Sequence, residues 1–147
     1  VTAREPELGA MLYRLSRAVV EAERSVLSDH GLEMWEYVVL NRLNEGTSPT
    51  QSHLAVAVGR DKTRLIPILD RLEAARLVER TPDPHDRRNR IVSLTQRGRA
   101  LADDCHAAIR RLEDEELLVG LNPDQRRELR AHLGTLTEEL EDARKGD

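Results

Sequence analysis

The sequence predicts a mainly α-helical fold with one small β-hairpin, and three patterns in its 147 residues carry that reading. Leucine and valine recur at alternating spacings of four and three near both ends of the chain. The window from Gln51 to Asp70 sets Ala55, Gly59 and Leu65 where two short helices have to meet across a tight turn. The stretch RTPDPHDRRNRIVSLTQRG, from Arg80 to Gly98, places prolines and arginines between two β-branched segments.

In chain order, Leu8, Leu12, Leu15, Val19, Ala22 and Val26 form one seam on a long first helix, ended by Gly31. A second helix follows in EMWEYVVLNRLNEG and is closed by Gly46. SPTQSHLAVAVG is a third, shorter helix with Thr50 as its N-cap, and RDKTRLIPILDRLEAARLV is a fourth with Asp61 at its cap. Leu77–Arg80 and Ile91–Leu94 read as strands, and Pro82 and Pro84 keep the chain between them out of helix. Thr95 caps a fifth helix running through Leu101, Cys105, Ala108 and Leu112. Asn122-Pro123-Asp124-Gln125 opens a sixth, which carries Leu129, Leu133, Leu136 and Leu140. With no internal repeat or long linker, this reads as one domain over residues 1–147.

Composition narrows the class. No apolar run approaches the roughly 18 residues that cross a bilayer, no signal-peptide pattern opens the chain, and the single Cys105 fits a reducing cytoplasm. The net charge of −4 is unevenly spread: residues 60–99 hold 11 Arg or Lys against 6 Asp or Glu, a net of +5 inside acidic flanks. A basic middle of that kind suits a protein that meets a polyanion with one face.

The Gln51–Asp70 window has the helix-turn-helix pattern, with Leu54, Val58 and Ile68 completing its apolar set and Arg60 standing where an apolar residue is usual. An arginine-tipped hairpin directly after the second of these helices makes it a winged helix-turn-helix. On the fourth helix Leu65, Ile68, Leu69 and Leu72 share one face, and Thr63, Arg64, Pro67, Asp70 and Arg71 share the other. Its exposed N-terminal turn suits base edges in a major groove, and Lys62, on the flank, suits phosphate. Pro67 removes one helix hydrogen bond. A kink is its local consequence, and flat contact with a thymine methyl is the alternative.

MWEYVVLNRL, the stretch from Thr50 to Leu101 and the flanking long helices resemble the MarR family of bacterial transcriptional regulators. The wing DPHDRRNRIVSLTQRG is similar to the family's Asp-Arg-Arg turn, strand and Leu-Thr-x-x-Gly. The resemblance implies a homodimer joined by N- and C-terminal helices (1–30 and 95–145), with winged lobes (32–94) on a palindromic operator of double-stranded DNA, and a repressor's role. It also implies that Arg87 enters the minor groove, that Asp86 and Arg88 brace the wing, and that Thr63 and Arg64 read the major groove. Asn89 and Ile66-Pro67 depart from the family's usual small and polar residues. The expected DNA-contacting set is Thr50, Gln51, Ser52, Lys62, Thr63, Arg64, Pro67, Arg71, Asp86, Arg87, Arg88 and Arg90.

Family members often bind phenolic or carboxylate effectors. Tyr13, Arg17, His30, Met34, Trp35 and Tyr37 are the residues here able to stack on or pair with one, although core is the preferred reading of Met34 and Trp35. The five histidines are scattered and no phosphate loop or nucleophile elbow appears, so an enzyme is not expected, nor a cofactor. Asp103 and His106, three apart on a helix, read as a solvated face rather than a metal site, and Cys105 as a small buried hydrophobe. A winged-helix module that contacts protein without specific DNA binding is the alternative function. Such modules tend to lose the arginines that this chain keeps.

Overall fold

The computed structural model describes residues 5–46 and 48–145, so residues 1–4 of the expected 1–30 segment and the last two of the expected domain lie outside the described residues. The chain divides into two compact units, Val1–Arg110 and Arg111–Asp147.

The first unit holds α1 (Leu8–Asp29), α2 (Met34–Asn44), α3 (Gln51–Ala57), α4 (Lys62–Ala74), the antiparallel hairpin β1 (Val78–Pro82) and β2 (Arg90–Leu94), and most of α5 (Gln96–Leu112). Local chemistry explains the helix boundaries. The Thr50 hydroxyl accepts from the His53 N–H at 3.3 Å and the Asp61 carboxylate accepts from the Arg64 N–H at 2.9 Å. α1 and α3 end on glycines in the left-handed region, Gly31 at φ 72° and Gly59 at φ 67°. α4 ends the same way on a residue that is not glycine: Arg76 sits at φ 58°, held because the Leu77 N–H reaches back to the Leu72 carbonyl at 2.9 Å and Leu77 itself is buried. α2 differs from the expectation at its end. It stops on Glu45 in right-handed geometry, and Gly46 has no positive φ.

Leu27, Val39, Leu40, Leu54, Leu65 and Leu69 have no accessible surface and form the heart of the core, each contributing about 1.5–3 kcal/mol by burial. Ala55 lets α3 and α4 close on each other. α5 runs through Leu101, Cys105, Ala108 and Leu112 as expected, and its buried stripe is Gly98, Ala102, Cys105 and Ile109, with Leu101 packed against the core. Gly98, at the start of this stripe, closes on the turn between α4 and β1. A Cβ there would stand 2.0 Å from the Leu77 carbonyl oxygen.

The hairpin is pinned at its base and along β2. Thr95 donates its hydroxyl to the Arg76 carbonyl (2.8 Å) and accepts from the Gly98 N–H (2.9 Å), tying the base of the wing to the start of α5. Along its outer edge β2 pairs with the segment before α3: Thr50 bridges Ile91, and the Val92 N–H donates to the Pro49 carbonyl at 2.9 Å.

In the second unit a π-helical turn, Glu113–Leu117, which no sequence signal announced, precedes α6 (Pro123–Lys145). Arg130 binds Glu113 at 2.7 Å and Asp114 at 3.1 Å. The expected capping box is present, with Asn122 and Gln125 exchanging side chain-to-backbone hydrogen bonds of 2.9 and 3.0 Å.

Candidate nucleic-acid interface

α4 buries Leu65, Ile68, Leu69 and Leu72 and turns Lys62, Thr63, Arg64 and Pro67 to solvent. The Asp61 cap fixes its first turn, and the left-handed Gly59 sets the angle at which α3 hands over to it. Arg64 folds back toward its own cap, Nε to Asp61 Oδ2 at 3.4 Å, an exposed pair worth little in water. Lys62 makes no hydrogen bond or ion pair among the described residues. The helix continues to Ala74 through Pro67.

At the wing tip Asp86 accepts three hydrogen bonds from Arg88: from its backbone N–H at 3.1 Å, from Nε at 3.0 Å and from Nη2 at 3.1 Å. The Arg88 side chain, and then its backbone N–H, hold the Asp86 carboxyl below its usual range. The Asn89 N–H closes the turn on the Asp86 carbonyl at 2.9 Å, and Asp83 caps the preceding bend through the His85 N–H. Between these fixed points Arg87 is exposed and, like Arg90 at the start of β2, unpaired among the described residues. The geometry presents a cation on a stiffened turn.

Within the expected DNA-contacting set, Arg71 is paired with another helix and Gln51 is buried. Arg71 donates Nε to Glu36 Oε1 at 2.8 Å and lies 3.5 Å from Glu33, and Glu36 is buried and also caps the Glu33 N–H. Arg71 thus ties α4 to the start of α2. Gln51 is buried and lines a groove of about 350 Å³ with Ile66, Glu73, Arg80 and Arg90, while Thr50 spends its hydroxyl as a cap and Ser52 is exposed.

Sequence reasoning missed Arg80, whose side chain is only 17% exposed. It reaches Asp70 at 2.7 Å and Glu73 at 2.5 Å, clamping the wing to α4 and drawing the Glu73 carboxyl below its ordinary value. The only sequence signal was the acidic pair Asp70 and Glu73 on α4, ten and seven residues before the arginine.

The effector candidates do not converge within the chain. Tyr13 and Arg17 lie in an open concavity of about 770 Å³ lined by α1 residues alone. His30 stands about 25 Å of helix beyond Tyr13 and directs Nδ1 at the Val26 carbonyl, 2.8 Å away. Met34 and Tyr37 pack against the core. Trp35 departs from its expected core place: it is exposed, with the Arg60 guanidinium 3.7 Å above its ring. This explains Arg60 at an apolar position of the turn, because its planar cation covers the indole as an apolar side chain would. Asp103 accepts from Asn44 at 2.7 Å, and no cluster of three metal-ligating side chains occurs among the described residues. Burial, and then the charge of Asp104, push the Cys105 thiol up.

A sequence model of the MarR family matches residues 30–89. The transcriptional repressor Rv2887 of Mycobacterium tuberculosis is 31% identical over 91% of this chain and 96% of its own length. Its structure in complex with DNA superposes with a TM-score of 0.76 at 29% identity, covering 90% of this chain and 98% of that one. Apo MarR from E. coli gives a TM-score of 0.82 at 26% identity over 90% and 98% of the two chains. CouR of Rhodococcus jostii RHA1, bound to p-coumaroyl-CoA, gives 0.75 at 26% identity over 92% and 95%. Sequence likeness across nearly the whole chain, together with the capped helix pair and the braced wing, establishes that this protein belongs to the MarR family of transcriptional regulators.

Proposed function

We propose that this DNA-binding transcriptional regulator is a cytoplasmic homodimeric repressor, acting by occupying a palindromic operator rather than by catalysis. Residues 32–94 form the DNA-binding lobe. The first turn of α4 enters the major groove, with Thr63 and Arg64 at base edges and Lys62 at phosphate. Arg87 enters the flanking minor groove, where a narrow A·T tract concentrates negative potential. The observation that carries this reading is the wing tip: Arg88 is consumed by Asp86 while Arg87, its neighbour, is left exposed and, among the described residues, unpaired.

Dimerisation through segments 1–30 and 95–145 is supported by apolar residues facing water on both terminal helices: Leu8 is 61% exposed and Leu140 65%. Effector control is supported by the CouR complex, and the α1 concavity with Tyr13 and Arg17 is the place a second chain would complete.

Incubating the protein with fragmented genomic DNA, sequencing what it retains and measuring affinity across salt concentrations tests the reading. A recurrent palindromic site bound with a steep salt slope is expected. Retention of no preferred sequence would leave the winged lobe as a protein-contact module.

A further inference from the structure

We propose that Thr63 and Pro67 together read the 5-methyl group of a thymine in the major groove, once in each half of the operator. The inference rests on the DNA-binding reading above and adds the chemistry of one base contact. At 100° per residue, Thr63, Pro67 and Asp70 fall on the ridge of α4 opposite its buried stripe of Leu65, Ile68, Leu69 and Leu72. Thr63 and Pro67, four residues apart, stack one turn above the other and are both exposed. Asp70, further along, is held by Arg80 at 2.7 Å. The leading part of the ridge therefore offers a methyl group, a hydroxyl and a pyrrolidine ring.

Pro67 is costly where it stands. It withholds the N–H that the Thr63 carbonyl would accept and disfavours the helix interior, and its ring is exposed, so burial in the core does not offset that cost. The long polar side chains flank this ridge rather than standing on it: Arg64 projects to one side, free to reach a neighbouring base edge, and Arg71 to the other, held on Glu36. An apolar ridge in the major groove meets one apolar feature among the four bases, the thymine methyl. Proline also brings a rigid surface with no side-chain freedom to lose.

The test uses full-length protein and duplexes that the wild type selects from a random pool. Each thymine is replaced in turn by deoxyuridine, which deletes the methyl and leaves every hydrogen-bonding group in place. Wild type is expected to bind about fourfold more weakly for each half-site substituted at one particular thymine. Pro67→Ser, which restores the backbone N–H and suits a helix better than proline, is expected to bind the thymine and deoxyuridine duplexes equally. Thr63→Ser is expected to lose part of the discrimination. Absence of any deoxyuridine-sensitive position overturns the proposal, as does sensitivity unchanged in Pro67→Ser, while selection of duplexes still supports specific DNA binding. If no duplex is selected, the DNA-binding reading fails first and this contact with it.

Discussion

Gly98→Ala is a single methyl addition whose cost can be worked from coordinates. The new Cβ would lie 2.0 Å from the Leu77 carbonyl oxygen, 2.9 Å from the Leu77 carbonyl carbon and 3.0 Å from Leu94 Cδ2. Two of these three obstacles are backbone atoms, so no rotamer change relieves the clash, and the start of α5 has to move off the turn between α4 and β1. That movement strains the Thr95 N–H bond to the Leu77 carbonyl (3.1 Å) and the Thr95–Gly98 cap (2.9 Å), each worth about 0.5–1.5 kcal/mol. Overpacking adds about 1–3 kcal/mol, and alanine's better helix propensity returns up to about 1 kcal/mol. A net loss on the order of 2–4 kcal/mol follows. Gly134→Ala is the matched control: it lies inside α6 with nothing within 4 Å of the added Cβ, so it is expected to stabilise by up to about 1 kcal/mol. Urea unfolding of both variants at one protein concentration decides the matter. A Gly98→Ala protein as stable as wild type refutes the close approach of α5 to Leu77.

Four further outcomes are expected. Lys62→Ala weakens binding to operator and random duplexes alike and flattens the log K against log salt slope by about 1, whereas Arg64→Ala blurs discrimination between them; fluorescence anisotropy separates the two. Arg87→Ala costs on the order of 1–3 kcal/mol on an operator with A·T-rich flanks and less on G·C-rich ones, and Asp86→Ala also weakens binding although it removes a negative charge, so tighter binding by Asp86→Ala contradicts the brace. Because Arg80 depresses the Glu73 carboxyl, the clamp stabilises the fold above the ordinary glutamate value of 4.5 and fades as pH falls through the lowered folded value; the stability gap between wild type and Arg80→Met therefore narrows on acidification. Cys105, buried and with its thiol pushed up, stays unreactive toward a thiol reagent at neutral pH until the protein is unfolded.

What could be read from sequence was what the chain decides locally. Thr50, Asp61 and Asn122 bond to backbone three residues away, and Gly31 and Gly59 answer a conformational demand within their own turn, so four-residue windows suffice to find them. The Asp86–Arg88 brace spans two residues and was legible in the same way, through the family resemblance. The features that escaped join residues far apart in sequence. Gly98 matters because of Leu77, Trp35 is covered by Arg60, and Arg71 serves Glu36 from 35 residues away. From sequence alone an exposed-face arginine reads the same whether it awaits a phosphate or holds a neighbouring helix, so nothing local separates Arg71, which holds Glu36, from Arg64. The pairing of Pro49 and Thr50 with β2 was hidden for the same reason: proline there argues for a loop, and only the edge of β2 makes it a strand partner.

The arginine-rich middle of the chain is therefore divided between two uses. Arg60, Arg71, Arg80 and Arg88 hold the helix pair and the wing in shape, while Lys62, Arg87 and Arg90, without a partner among the described residues, present their charge at the first turn of α4 and on the wing. A rigid frame of internal pairs lets the outward cations arrive organised on the duplex, with less ordering left to occur on binding.

Two chains gripping one palindrome with two such lobes is the arrangement proposed for this regulator. Native mass spectrometry of the full-length protein, alone and with the palindromic duplex it selects, tests it most directly. Two chains free in solution and two chains on one duplex are predicted. A stable folded monomer, or one chain saturating the palindrome, would contradict the account.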